Sequence, residues 1–255
     1  MTSVQLQPGK KIYFASDFHL GIPDYPSSRE REERICRWLR QIKPDCQQLY
    51  LVGDLFDAWI EYDRAVPKGY IRFLGQLAEL ADEGVQLIIF TGNHDLWMKG
   101  YFEEELGATV YREIQNITLG NKRFHIGHGD GVSKQERNYI RMKKLFQHPL
   151  AQWLYRKLHP DCGIGLADYF SRRGIKHRTM EDKNMKSDEE EHQIQYAMQL
   201  DQQKVTDFIV FGHRHIPCQR ILPFQTTFIN LGDWLQFNTY GVYDGERFDL
   251  VAFPS

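Results

Sequence analysis

Seven side chains of this sequence could together hold metal ions: Asp17, His19, Asp54, Asn93, His128, His213 and His215. They supply two carboxylates, one amide oxygen and four imidazoles. Two divalent transition ions need a mixed oxygen and nitrogen set of about this size, especially when one carboxylate bridges them. No cysteine stands among them, which favours manganese, iron or zinc over a thiolate zinc site. Each residue has an ordinary explanation when taken alone. A histidine at a strand end usually fills a structural hydrogen bond, and Gly-Asp closes many strands for reasons of turn geometry. Their common placement is what singles them out.

The same element precedes each of them. Leu49-Tyr50-Leu51-Val52 is a short apolar run that stops at Gly53-Asp54. A buried strand of a parallel sheet reads this way, with a carboxylate at the carboxyl edge where open α/β sheets bind ligands. Ile12-Tyr13-Phe14-Ala15-Ser16 leads into Asp17-Phe18-His19, and Leu87-Ile88-Ile89-Phe90-Thr91 into Gly92-Asn93-His94-Asp95. Phe124-His125-Ile126 leads into Gly127-His128-Gly129-Asp130, and Phe208-Ile209-Val210-Phe211 into Gly212-His213-Arg214-His215. Asp17 and His19, at i and i+2, face one side of an extended segment.

Helical patterns separate the runs. Ile35, Trp38, Leu39 and Ile42 predict a helix over 30–42, after a loop carrying Pro23 and Pro26 and before Pro44. Phe73, Leu74, Leu77, Leu80 and Ala81 predict another over 70–81, closed by Gly84. Residues 106–126 read as short β segments turning at Gly120-Asn121. The stretch from 208 is strand-rich, with turns at Gly232-Asp233 and Asp244-Gly245. The expectation is an α/β fold of two β-rich halves facing each other with helices outside. Residues 55–61 are too apolar for a solvated loop and are expected beneath the site or along a substrate channel.

Residues 132–206 break the pattern, so the reading divides the chain into a core of 1–131 and 207–255 and a helical lid over 132–206. The inserted stretch is basic and aromatic, with Arg137, Arg141, Lys143, Lys144, Arg156 and Lys157 among Phe146, Trp153, Leu154 and Tyr155. A pair of surface helices with solvated basic faces would look like this. So would a lid offering apolar surface to acyl chains and positive charge to phosphates or anionic lipid. Ser187-Asp188-Glu189-Glu190-Glu191 reads as the first turn of the next helix. A net charge of -2 gives no sign of a nucleic-acid binder, and four scattered cysteines without a CxxC argue against a disulfide framework. No signal-peptide pattern and no spanning apolar run are found, so a cytoplasmic protein is expected, with peripheral membrane contact open.

The motifs Asp-x-His, Gly-Asp-x-x-Asp, Gly-Asn-His-Asp, Gly-His-Gly-Asp and Gly-His-x-His, in this order, resemble the calcineurin-like metallophosphoesterases. That resemblance implies a two-metal centre on a four-layer αββα sandwich. Asp17, His19, Asp54 and His215 would hold the first ion, and Asp54 would bridge to a second held by Asn93, His128 and His213. His94 would help a phosphoryl oxygen or the leaving group during in-line attack of water on phosphorus, with Asp57 and Asp95 as its orienting partners. Within the superfamily, Ser16-Asp17-Phe18-His19-Leu20-Gly21, Gly53-Asp54-Leu55-Phe56-Asp57-Ala58-Trp59 and the position of the helical insertion are similar to UDP-2,3-diacylglucosamine pyrophosphatases. The similarity implies hydrolysis of a lipid-linked UDP sugar to UMP and a diacylated glucosamine 1-phosphate, toward lipid A at the cytoplasmic face of the inner membrane. Best-known members of that group read Gly-Asn-Arg-Asp where this chain reads Gly-Asn-His-Asp. Arg137, Arg141 and Lys186 are the expected phosphate contacts, beside Asn93, His94 and His213. The competing expectations are a phosphoesterase of the same fold acting on another nucleotide, phosphodiester or phosphoprotein, and a metal-free scaffold. Ligands intact at all seven positions speak against the scaffold.

Overall fold

Neighbouring residues of the central strands bury toward opposite faces, as strand geometry dictates, and this alternation builds the layers. The structure is a computed structural model that describes residues 3–133, 137–167, 169, 171 and 192–254. In chain order its strands are β1 (Ser3–Val4), β2 (Lys11–Ala15), β3 (Cys46–Val52), β4 (Gln86–Phe90), β5 (Thr109–Tyr111), β6 (Gln115–Leu119) and β7 (Lys122–Ile126). The later ones are β8 (Phe208–Phe211), β9 (Cys218–Ile221), β10 (Thr227–Asn230), β11 (Thr239–Tyr243) and β12 (Phe248–Ala252). They form two six-stranded sheets, ordered β12-β11-β2-β3-β4-β5 and β1-β6-β7-β8-β10-β9. Ile12, Phe14, Tyr50 and Val52 of the first sheet meet Phe124, Ile126, Val210 and Ile229 of the second in an apolar layer between them.

The intervening residues of the first sheet face outward onto helices. Tyr13, Ala15, Leu49 and Leu51 bury against Ile35, Trp38 and Leu39 of α1 (Tyr25–Ile42) and Phe73 and Leu77 of α2 (Ile71–Asp82). A fully buried side chain of this size contributes about 1.5–3 kcal/mol relative to exposure, so this face anchors both helices. On the far side, Ile209, Phe211 and Phe228 bury against Ile194 and Ala197 of a helix at His192–Gln203. The order is helix, sheet, sheet, helix, the four-layer sandwich that the motifs imply.

Three local differences from the sequence reading have clear causes. The first helix begins at Tyr25 rather than near residue 30, with Asp24 accepting from the Ser27 amide at 2.9 Å and Pro26 in the first turn. Proline suits that position because its missing N–H has no intrahelical partner to lose. The expected meander over 106–126 is divided: β5 pairs with β4 in the first sheet, and β6 and β7 form an antiparallel hairpin in the second. The helix at His192–Gln203, assigned to the lid by the sequence reading, has its apolar face buried on the second sheet and forms the sandwich's outer layer.

The short helix α3 (Tyr101–Leu106) follows β4 in the core; the inserted stretch forms α4 (Arg137–Gln147), α5 (Pro149–Tyr155) and helical backbone over 160–167, and the helix at His192–Gln203 is α6. The indole of Trp97 donates to the Phe146 carbonyl at 2.9 Å and meets the Tyr155 ring edge-on, with centroids 4.5 Å apart. Arg156 donates to the Glu61 carbonyl at 2.9 Å. These contacts fasten α4 and α5 to the loops that follow β3 and β4. The acidic run 187–191 lies outside the described residues.

Candidate metal centre

Loops at the carboxyl ends of β2, β3, β4, β7 and β8 bring all seven expected ligands to one place. In the first group, His215 Nε2 lies 3.4 Å from Asp17 Oδ1 and 3.3 Å from His19 Nε2, and His19 Nε2 lies 3.5 Å from Asp54 Oδ2. In the second, His128 Nε2 lies 3.3 Å from Asp54 Oδ2 and 3.3 Å from Asn93 Oδ1, which is 2.9 Å from His213 Nδ1. Asp54 Oδ2 belongs to both groups. Donors bonded at about 2.1 Å to one ion stand about 3.0–3.4 Å apart in tetrahedral or octahedral arrangement, which is the spacing seen here. The Asp54 Oδ2 atom is fully buried and makes no hydrogen bond among the described residues. A buried carboxylate oxygen without a hydrogen bond is costly unless a cation takes it. The donor set and this atom both fit a pair of divalent ions.

Backbone geometry shows how much the fold commits to the cluster. Asp17, His19, Asp54, His213 and His215 all have left-handed φ, between 44° and 70°. Non-glycine residues adopt this region rarely, at a cost of about 1–3 kcal/mol each. Cross-loop bonds hold them there. Asp17 N–H donates to the Gly53 carbonyl and His19 N–H to the Asp54 carbonyl, while His213 N–H donates to the Asp17 carboxylate. The buried Arg31 guanidinium donates to the His19 carbonyl at 2.6 Å. Two motif glycines are required by close approach: a Cβ on Gly92 would collide with the Asp54 carboxylate, and one on Gly53, at φ +84°, would sit 2.6 Å from His128 Nδ1.

The clustered carboxylates and imidazoles shift one another's proton affinities. Burial acts to lower His19, but the Asp17 and Asp57 carboxylates beside it raise it to about 9. Burial likewise opposes His128, and the Asp54 carboxylate carries it up to about 10. Asp17 is raised by burial yet held at about 2 by the His19 and His215 rings. For Asp54, burial is overcome by the charges of His128 and His94, which hold it well below the usual carboxylate range. Divalent ions would compete with protons for these same imidazole nitrogens, so their uptake would release acid.

The remaining expected residues divide in role. His94 Nδ1 lies 2.8 Å from the Asp57 carbonyl oxygen and 3.4 Å from Asp57 Oδ1, and the His94 ring forms a third close group with His19 and Asp54. Asp57 Oδ1 also faces His19 Nδ1 at 3.5 Å. Asp95, expected to orient His94, touches backbone instead: it accepts from Gly92 N–H at 2.6 Å and Leu55 N–H at 2.8 Å, tying the β4 loop to the β3 loop. Burial and the Asp54 charge raise Asp95 to about 7. Arg137 and Arg141 are exposed on α4; that helix reaches the His128 loop through Tyr139 and Lys143, which both donate to the buried Asp130. Lys186 lies outside the described residues.

The structure adds residues that no motif marked. Ser171 Oγ donates to Asp57 Oδ2 and lies 3.2 Å from His94 Nδ1. Gln193 of α6 donates to the carbonyls of Gly129 and Gly212, which adjoin His128 and His213, and Asn230 donates to Gln193 and to the Gly212 carbonyl. Beside Asn93 and His94 opens a cavity of about 520 Å³. Ala58, Ile60, Leu96 and Trp97 form its core wall, and Met142, Phe146, Tyr155 and Ala167 the opposite one. Within the apolar 55–61 stretch, Phe56 and Trp59 are buried and Ala58 and Ile60 line this cavity.

A family model described as calcineurin-like phosphoesterase matches residues 10–217. The chain is 39% identical over 254 residues to the UDP-2,3-diacylglucosamine hydrolase of Porphyromonas gingivalis, covering 95% of this chain and 97% of that one. It is 28% identical to the protein of the same name from Pasteurella multocida, over 88% of this chain and 90% of that one. With the one from Vibrio parahaemolyticus the identity is 26%, over 94% and 97%.

Proposed function

The chain belongs to the calcineurin-like phosphoesterase family, and we propose that it cleaves the pyrophosphate of UDP-2,3-diacylglucosamine to UMP and 2,3-diacylglucosamine 1-phosphate, a step of lipid A biosynthesis. It is a metal-dependent hydrolase. The observation that carries the substrate is the apolar cavity beside His94, walled on one side by the core and on the other by the inserted helices. A water-soluble nucleotide has no use for such walls, whereas acyl chains bury there at about 0.8 kcal/mol per methylene. The names of the relatives point to the same substrate.

Asp17, His19, Asp54 and His215 would hold one ion and Asp54, Asn93, His128 and His213 the other, manganese being the first choice for this oxygen and nitrogen set. Bound ions would supply Lewis acidity at the phosphoryl oxygens and activate water near neutral pH. The protein's own groups do the rest. With Nδ1 engaged by Asp57 and Ser171, His94 presents Nε2 to a substrate oxygen. The cavity walls exclude water around the diacyl end, and Arg137, Arg141 and Lys186 supply positive charge for the nucleotide phosphates.

Substituting Ala167→Phe tests the cavity. Excluding two or three methylenes costs about 2 kcal/mol, so kcat/KM on the diacylated substrate should fall about thirtyfold. Turnover of bis(p-nitrophenyl) phosphate should be unchanged; an equal fall for both substrates would remove the acyl assignment. The outer surface of the inserted helices exposes Leu145, Leu150, Trp153 and Leu154 beside Lys144 and Lys157. None of the described helices is long and apolar enough to cross a membrane. This face is proposed to rest on the cytoplasmic leaflet of the inner membrane. Flotation with anionic liposomes should be seen for the native chain and reduced in Trp153→Glu; equal flotation of the two would place the contact elsewhere.

A further inference from the structure

The imidazoles of the cluster are not backed alike. His128 Nδ1 faces a neutral partner, the Val52 carbonyl oxygen at 2.9 Å. In the other group, His19 Nδ1 faces the Asp57 carboxylate at 3.5 Å, and His215 Nδ1 faces the Asp233 carboxylate at 3.3 Å. Asp233 is 2% exposed. Its Oδ1 accepts from the amides of Gln236 and Phe237 at 3.0 and 3.1 Å, which orients the side chain and leaves Oδ2 toward the ring. The next residue, Trp234, donates its amide to the Asp17 carbonyl at 3.2 Å, so the same short segment contacts two residues of the first group.

We infer that Asp233 is a positioning residue for the first metal: its carboxylate keeps the proton on His215 Nδ1, turns Nε2 toward the ion and makes that site the tighter of the two. The inference rests on the two-metal reading above. The physical reason is general. A carboxylate accepting the far N–H of a ligating imidazole fixes its tautomer and raises its basicity, and loss of such a partner typically lowers affinity 10–100-fold. A carbonyl behind His128 fixes the tautomer as well but brings no negative charge, so the second site gains less.

Asp233→Asn separates this role from simple loop support. Its amide oxygen can still accept from Gln236 and Phe237, while its NH₂ group meets a ring nitrogen that must itself donate. Calorimetric titration of manganese into the metal-stripped, full-length protein should show two classes of site in the native chain. In Asp233→Asn the tighter class should weaken about 10–100-fold, with the weaker class unmoved, and Asp233→Glu should recover part of the loss. Thermal unfolding of the metal-free variant should match the native chain. Two classes in both proteins with superimposable isotherms, or an equal loss from both classes, would overturn the assignment to Asp233. Fewer than two ions taken up by the native chain would instead overturn the two-metal reading, and with it the inference.

Discussion

Asp54→Asn is expected to lower kcat/KM by at least about 10³-fold on every phosphate substrate, including a small diester with no acyl chains. The expectation follows from what the substitution changes and what it keeps. Asp54 Oδ1 accepts the His94 amide at 2.9 Å, and an asparagine oxygen can do the same. The residue's size and its place against Gly92 are also preserved. The difference falls at Oδ2, which is common to the two ligand groups and makes no hydrogen bond among the described residues. Replacing that charged oxygen by an amide nitrogen puts a donor where cations would sit. Partners one shell out from a metal are worth 10–100-fold, so a ligand shared by two ions should exceed that. Titration with manganese should show loss of paired binding, while circular dichroism without metal keeps the native signature. A variant that kept native turnover would show that Asp54 is not the shared ligand. One that failed to fold would show that the charge is structural.

Much of the clustering at this candidate site is legible in the sequence because strands and candidate ligands are written together. Each apolar run ends at its chemistry, and the parallel core of the first sheet puts three of those ends on one edge. The glycines are part of the same text, since Gly92 and Gly53 are imposed by the approach of Asp54 and His128. What stayed hidden depends on partners far along the chain. The start of α2 has no local cap, because Glu32 of α1 accepts from the Arg72 and Phe73 amides. Ser171 comes to His94 only by the way the inserted helices fold back. Asp233 is the most instructive case. Gly232-Asp233 reads as a turn, and for Oδ1, which holds the Gln236 and Phe237 amides, that is correct. Nothing local says that Oδ2 faces His215.

The left-handed residues of the candidate metal centre connect stability to the proposed function. Five such residues, at about 1–3 kcal/mol each, represent strain comparable to the net stability of a whole domain. The three buried apolar layers offset it. The sandwich can hold these loops in place because the strands that carry them bury large side chains of their own, Phe14, Tyr50 and Phe124, between the sheets, and Trp38 of α1 packs on the outer face.

The second large effect is expected at His94. His94→Ala should lower kcat about 10²–10³-fold, the range for loss of one preorganised donor at developing charge, with manganese affinity little changed. The Asp57 carbonyl 2.8 Å from Nδ1 fixes the ring, and the amide of His94, which bonds to Asp54, is untouched by truncation to alanine. Two roles would give losses of this size, and leaving groups of graded basicity separate them. If Nε2 donates a proton to the departing oxygen, the native-to-variant ratio should grow as the leaving group becomes more basic. If the ring stabilises a non-bridging phosphoryl oxygen, the ratio should stay flat across the series. The neighbouring contacts favour the first outcome. Asp57 Oδ1 is 3.4 Å from His94 Nδ1 and 3.5 Å from His19 Nδ1, so one carboxylate faces both the ring proposed to meet the substrate and a ring proposed to hold the first metal. An acceptor behind Nδ1 holds the ring with Nε2 outward, the orientation a proton donor to the leaving oxygen requires. Asp57→Asn should therefore reproduce the leaving-group dependence of His94→Ala in milder form. A flat ratio in both variants would assign the pair to charge stabilisation alone.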